Sequence, residues 1–328
     1  MKLVSFQPAK NITRLGICVN DTIYDLAIAR SLSTLSFTLP YLPDAILPFL
    51  ELGNAAMNDA SILHQDIITD SLQYNTAAYA LNQVHLLSPI PKPTSMRDGY
   101  AFRQHVEAAR RNRGLDMIPE FDEIPIFYFT NHQAVFGPGP ISVRPMHLEQ
   151  LDFELEVAIV IGKQGSDISA KDADSYIAGY MIMNDWSARA MQMHEMKLNL
   201  GPAKGKDFAT TLGPWLVTKD ELESKKISSP NGDTYDLAMT CSINGMQVSS
   251  GNVKDMSWTF AQIIERASYG VTLYPGDVIG SGTCGTGCFL ELNGSKVFNP
   301  PMWVKEGDTI NCSIDALGSL VNTIEVRR

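Results

Sequence analysis

The stretch Asp152-Phe153-Glu154-Leu155-Glu156-Val157-Ala158-Ile159-Val160-Ile161 decides how this chain folds and where its chemistry sits. Side chains on a β-strand alternate between two faces. Phe153, Leu155, Val157, Ile159 and Ile161 therefore share one face, while Glu154 and Glu156 lead the other, followed by Ala158 and Val160. Two carboxylates side by side at the start of an otherwise apolar strand repel each other, and burial would raise both pKa values. A hard divalent cation prefers carboxylate oxygens and removes both problems. A solvated strand end carrying two glutamates gives the same pattern.

A second segment, Gly179-Tyr180-Met181-Ile182-Met183-Asn184-Asp185-Trp186-Ser187-Ala188-Arg189, reads as a buried strand that ends and turns into a helix at Ser187. Asp185 at the end of that strand either joins the acidic pair or favours the helix N-terminus electrostatically. On the helix, Arg189 and Gln192 are three apart and face the same way. They offer a fixed cation and an amide donor, which an anionic intermediate would want.

The 328 residues suffice for two ordinary domains. Hydrophobic residues at 45% and charged residues at 19% are globular values, so a sizeable core can be buried. A net charge of -10 argues against nucleic acid as partner. It leaves an anionic small molecule open, because local cations and a metal can outweigh the global field. No apolar run has membrane-spanning length, and the first residues alternate like a strand, so a cytoplasmic protein without a membrane partner is expected. Five cysteines, Cys18, Cys241, Cys284, Cys288 and Cys312, are an odd, scattered set that fits reduced thiols. Cys284 and Cys288 lie close, but no Cys-x2-Cys or His-x3-His pair accompanies them. They read as small hydrophobic filling around a tight turn rather than as a zinc site.

Residues 1–90 read as a small N-terminal β/α accessory domain. Two short apolar runs about Asn20-Asp21 signal a hairpin, and helical patterning follows near 45–52 and 55–68. Pro89, Pro91 and Pro93 mark the linker. Residues 94–328 are strand-rich and punctuated by glycine. Asn244-Gly245 signals a second hairpin, and helices are expected over 102–111, 169–177, 187–196 and 257–267, the last with Ser257 as N-cap. Residues 278–283 and 289–292 flank a Gly-rich turn. This predicts a mixed, β-rich α+β fold with a rolled or barrel-like mixed sheet.

Four strings resemble the fumarylacetoacetate hydrolase family: Phe-Glu-Leu-Glu at 153–156, Asn-Asp-Trp-Ser-Ala-Arg at 184–189, Gly-Lys-Asp-Phe-Ala-Thr-Thr at 205–211, and Gly-Ser-Gly-Thr at 280–283 with Phe289-Leu290-Glu291. They occur in family order over 94–328. The resemblance implies a rolled mixed sheet, usually dimeric, with a carboxylate-bound divalent metal. Mg²⁺ comes first, with Ca²⁺ or Mn²⁺ as alternatives. The substrate implied is a small diketo acid.

Asp98-Gly99-Tyr100-Ala101-Phe102-Arg103-Gln104-His105 is similar to the segment that marks true fumarylacetoacetases. By that match Asp98 joins Glu154, Glu156 and Asp185 as metal ligands, with Thr210 beside them. His105 is the general base and Glu291 orients it. Lys206, Arg189 and Gln192 stabilise negative charge, and Tyr100, Tyr128 and Thr283 contact substrate. From the residues alone His105 reads equally as a structural histidine and Lys206 as a solvated loop lysine.

Met196 stands where the fumarylacetoacetase pattern has a tyrosine, Asn131 stands at an arginine position, and the accessory domain is short. An arginine of Arg110, Arg111 and Arg113 either meets a substrate carboxylate or serves a helix C-terminus. The activity implied is hydrolysis of a C–C bond, most closely fumarylacetoacetate to fumarate and acetoacetate. Acylpyruvate hydrolysis, 2-oxo acid decarboxylation and hydration are alternatives on the same site. A non-catalytic dimeric ligand-binding protein is the alternative of another class.

Overall fold

Residues Leu155–Ile161 form a strand buried at every position, the charged Glu156 included. In the computed structural model, which describes residues 1–327, this strand lies inside a 12-stranded sheet. Its main path uses β1 (Lys2–Ala9), β2 (Ile12–Val19), β3 (Thr22–Asp25), β4 (Ala78–Ala80), β5 (Met96–Gly99), β6 (Phe127–Phe129), β7 (Leu155–Ile161), β8 (Ile177–Asp185), β9 (Thr210–Val217) and β10 (Val278–Gly280). Their spatial order is β4-β3-β2-β1-β9-β8-β7-β10-β5-β6. Neighbours along this path are antiparallel except β10 and β5, which run parallel. The sheet is mixed and open, with no closed barrel among the described residues. It continues across the proline-rich stretch, because β1 pairs with β9 through Lys2↔Val217 and Leu3↔Leu216.

The alternation along β7 sorts its side chains into two cores. Leu155, Val157, Ile159 and Ile161 pack with Ile182 and Ile279 against a five-stranded sheet that supplies Met239, Cys241, Ile310, Cys312, Leu320 and Ile324. Each of these fully buried aliphatic side chains contributes about 1.5–3 kcal/mol. The other face presents Ala158, Val160, Met181, Met183 and Val278 to the N-terminal segment. There α1 (Leu26–Leu32), α2 (Ile46–Glu51) and α3 (Gly53–Thr69) bring Ala29, Phe49, Leu50 and Leu63 onto the sheet. Glu156, Asp185 and Asp98 belong to this second face, at the end the helices do not fill with apolar side chains.

Both expected hairpins form. Asn20 (φ 53°) turns β2 into β3, and Asn244 (φ 50°) with Gly245 (φ 82°) joins Ala238–Ile243 to Met246–Asn252. Expectation and structure differ at two helix starts and in the length of a third helix. The helix α6 (Phe260–Ser268) is capped by Thr259, not Ser257: Thr259 Oγ1 accepts from Gln262 N, and the Gln262 side chain returns to Thr259 N. Ser257 N is committed to Ala101 O at 2.8 Å. Residues 187–188 are a short strand paired with Asp152 and Leu151, so that helix, α5 (Arg189–Glu195), begins at Arg189. The segment 169–177 holds a single α-turn, Ala170–Ala173, followed by a 3-10 turn and then β8.

Candidate active site

Strand register gathers the acids. Asp98 on β5 lies opposite Gly280 on β10, and Gly280 lies opposite Ala158 on β7, two residues from Glu156 on the same face. Leu155 pairs with Asn184, so Glu154, just before β7, stands level with Asp185 at the end of β8. Asp185 in turn pairs with Thr210 of β9, whose Oγ1 donates to Asp185 Oδ1 at 3.3 Å. Oxygens of Asp98, Glu154 and Asp185 lie within 4.8 Å of one another.

Glu156 completes the cluster, and neither of its buried carboxylate oxygens has a hydrogen-bond partner. Gly280 makes the approach possible. A Cβ there would stand 2.6 Å from Asp98 Oδ1 and 3.0 Å from Glu156 Oε2. The signal in the sequence was the first glycine of Gly280-Ser281-Gly282-Thr283, but its purpose shows only in the register.

The electrostatics follow from this crowding. Burial, reinforced by Asp98, Glu154 and Asp185, pushes the Glu156 carboxyl well above its ordinary range. Burial and the neighbouring Asp185 charge push Asp98 up to about 7. Burial also raises Asp185, against the pull of Lys206. For Glu154, burial is outweighed by the Lys206 ammonium and the Arg189 guanidinium, which bring it down to about 2. Lys206 is buried rather than solvated. Its Nζ donates to Glu154 Oε2 and, at 2.8 Å, to Asp185 Oδ2. A cation is thus already drawn into the acid cluster. Carboxylate oxygens without donors, raised carboxyl pKa values and the space left by Gly280 together fit a hard divalent ion held by Asp98, Glu154, Glu156 and Asp185.

Beside the acids stands a buried histidine–glutamate pair. His105 sits on α4 (Arg103–Arg111), and Glu291 on α7, the last helix of the chain (Phe289–Gly294). His105 Nδ1 meets Glu291 Oε2 at 2.6 Å, and Glu291 Oε1 accepts from Thr286 N at 2.9 Å. The pair leaves Nε2 of the imidazole free. Tyr100 lies edge-on to this ring, with centroids 5.7 Å apart.

Asp152 carries a role that the sequence reading did not assign. It accepts from Phe289 N at 2.7 Å and Leu290 N at 2.9 Å, the first amides of α7, and from Arg189 Nε at 2.8 Å. It therefore ties the helix of Glu291 to the arginine that holds Glu154 through Nη2 at 2.7 Å. An aspartate preceding Phe-Glu-Leu-Glu was the available signal, but its partners lie 37 and 137 residues away.

A cavity of about 600 Å³ opens onto these groups. Asp98, Tyr100, His105, Tyr128, Glu154, Arg189, Gln192, Lys206, Thr283 and Glu291, all expected at the site, line it. Tyr128 is turned to the acids, donating its hydroxyl to Asp185 Oδ2. Gln192 accepts from Arg189 Nη1 at 2.9 Å. Arg110 and Arg113 reach the cavity wall, as does Met196, together with Ile118, Ile126, Phe127 and Met193. Asn131 does not line it; its amide instead donates to Asp207 O at 2.9 Å in the loop that carries Lys206.

The chain belongs to the fumarylacetoacetate hydrolase family: residues 94–325 match the model for the fumarylacetoacetate (FAA) hydrolase C-terminal domain. It is 30% identical over 99% of its length to a mitochondrial oxaloacetate tautomerase, Fahd2a of Rattus norvegicus, covering 91% of that protein. It is 31% identical to the oxaloacetate tautomerase YisK of Bacillus subtilis, over 94% of this chain and 95% of that one. Among solved structures, a fumarylacetoacetate hydrolase of Exiguobacterium antarcticum aligns over the whole of both chains with a TM-score of 0.71 at 25% identity. No helix among the described residues is long and apolar enough to cross a membrane.

Proposed function

We propose that this protein is a divalent-metal-dependent enzyme that splits a C–C bond in a diketo acid, with fumarylacetoacetate, cleaved to fumarate and acetoacetate, as the leading substrate. The observation that carries the reading is the buried 2.6 Å contact between His105 Nδ1 and Glu291 Oε2, set beside four converging carboxylates. On this reading Asp98, Glu154, Glu156 and Asp185 hold the ion, Mg²⁺ first, with Ca²⁺ or Mn²⁺ as alternatives. When bound, it supplies Lewis-acid polarisation of the substrate's carbonyl oxygens. Residues 94–328 form the catalytic unit, and residues 1–90 an accessory unit that covers the acid-bearing face of the sheet.

Glu291 fixes the imidazole so that Nε2 takes a proton from water. The hydroxide adds to the carbonyl carbon next to the scissile bond. That bond breaks with its electron pair on the departing carbon, which receives the proton from His105. Arg189, Gln192 and Lys206 donate to the negative charge that develops. One such donor is worth roughly 3–4 kcal/mol in the transition state. Tyr100 and Thr283 bound the substrate, and Tyr128 steadies Asp185.

Oxaloacetate keto–enol conversion is a second reading, favoured by the names of the relatives at 30% and 31% identity. The same His105 would move a proton between carbon and oxygen without breaking the skeleton. The cavity of about 600 Å³, with its apolar wall, favours a longer acid. Fumarylacetoacetate, acetylpyruvate and oxaloacetate, each supplied with Mg²⁺, Mn²⁺ or Ca²⁺, separate the cases. Fumarate and acetoacetate released in equal amounts support the hydrolase. Accelerated enol loss from oxaloacetate with all carbon retained, and no hydrolysis of the diketo acids, replaces it with the tautomerase. Metal binding without turnover of any of them leaves a non-catalytic ligand-binding protein.

A further inference from the structure

We propose a second metal site, for a soft or borderline divalent cation such as Zn²⁺, formed by His105, Cys288 and Glu291 and sharing no side chain with the four acids. The proximity of Cys284 and Cys288 in sequence suggested those two as the pair to consider. The fold separates their roles. Cys284 Sγ faces Gly251, where an added Cβ would lie 3.1 Å from it. Cys288 instead occupies the residue before α7, three positions from Glu291. α4 packs against α7 and brings His105 to the same place. An imidazole nitrogen, a thiol sulfur and a carboxylate oxygen, one from each residue, lie within 4.8 Å of one another, and all three residues are buried.

The donor set selects the ion. Zinc binds sulfur, nitrogen and oxygen in one tetrahedral shell, and three protein ligands leave it one further position. Mg²⁺ demands oxygens in near-octahedral array and gains little from a thiol. A neutral imidazole, a thiolate and a carboxylate balance the charge of a divalent cation, so no net charge is buried. Burial opposes the thiolate, holding the Cys288 pKa well above its ordinary value. A coordinating thiol is nevertheless deprotonated by zinc, with release of a proton. The turn is already braced for three ligands. Asp152 holds the amides of Phe289 and Leu290, and Thr286 N holds Glu291 Oε1. His105 and Glu291 line the cavity, so the ion enters from the substrate side.

Zinc bound here ties up the imidazole, so it inhibits the Mg²⁺-loaded enzyme. The inhibition rests on the reading of His105 as the base; the binding does not. The test uses the full chain saturated with Mg²⁺, titrated with Zn²⁺ for turnover of whichever acid the substrate panel identifies. In parallel it is titrated with Co²⁺ for a thiolate-to-cobalt charge-transfer band. Cys288→Ser and Cys288→Ala are run alongside, with thermal melts to confirm folding.

The expected result is a cobalt–thiolate band and zinc inhibition in the wild type. Either variant that folds keeps Mg²⁺-supported turnover, loses the band, and needs roughly 10-fold more Zn²⁺ or greater for the same inhibition. No band in the wild type, or inhibition of the wild type that the Cys288 variants show at the same Zn²⁺ concentration, overturns the site. A band that appears without loss of turnover upholds the site and removes His105 from the role of base.

Discussion

Glu156 holds two buried oxygens with no donor, an arrangement that costs stability unless a proton or a cation resolves it. Glu156→Gln should therefore weaken divalent-metal binding by roughly 10-fold or more by calorimetry; unchanged affinity would remove Glu156 from the ligand set. Gly280→Ala should do the same without removing a charge, because its Cβ would press on Asp98 Oδ1 at 2.6 Å. His105→Ala separates binding from chemistry. Metal affinity should hold while turnover falls about 10²–10⁴-fold, and a turnover number near that of the wild type would end its assignment as base. Glu154 and Glu156 were legible as a same-face pair from alternation alone. Lys206 was not, because nothing in a Gly-Lys-Asp loop says that the ammonium will be buried between Glu154 and Asp185.

At the scale of the element, α7 is only six residues long and relies on Asp152 for its first amides. The same carboxylate neutralises the buried Arg189. Asp152→Ala removes both supports and leaves a guanidinium with one partner fewer. A loss of about 3–5 kcal/mol in chemical denaturation is expected, as for other broken buried pairs. Turnover should fall as well, since Glu291 and Arg189 lose their common anchor. A variant as stable as the wild type would show that the helix holds itself. The helix at 260–268 illustrates why starts of elements were harder to read than their existence. Ser257 and Thr259 are both good caps by type, and the helix starts at Thr259, where Gln262 three residues on completes a reciprocal pair of hydrogen bonds.

For the whole molecule, the sheet sets four carboxyl groups against one face, and α1 to α3 close that face from behind. The consequence is a pH-dependent need for metal. Asp98 moves from 3.8 to about 7 through burial and the nearby Asp185 charge. Between about pH 4 and 7 the folded chain keeps a proton there that the unfolded chain has released, so the metal-free protein loses stability as pH rises through that window. Glu154 acts in the opposite sense at lower pH: Lys206 and Arg189 outweigh burial and take it from 4.5 to about 2, so its contribution is lost as pH falls through that range. A bound divalent ion displaces the proton on Asp98. Mg²⁺ should therefore raise the melting temperature more at pH 8 than at pH 5, by differential scanning fluorimetry. An equal gain at both values would contradict the raised carboxyl.

The chain by itself determined its alternating strands, its two asparagine-led hairpins, the apolar identity of both cores and the types of residue available for chemistry, because those are local periodicities and turn propensities. Only the tertiary structure decided that Asp98, Glu154, Glu156 and Asp185 share one cluster, that His105 meets Glu291, and that Asp152 and Cys288 join the surroundings. Those groups are brought together by the pairing order β8-β7-β10-β5 and by the packing of α4 on α7. Pairing between strands so far apart in the chain is fixed by which faces bury together, and a one-residue shift of β7 would send Glu156 to the opposite core.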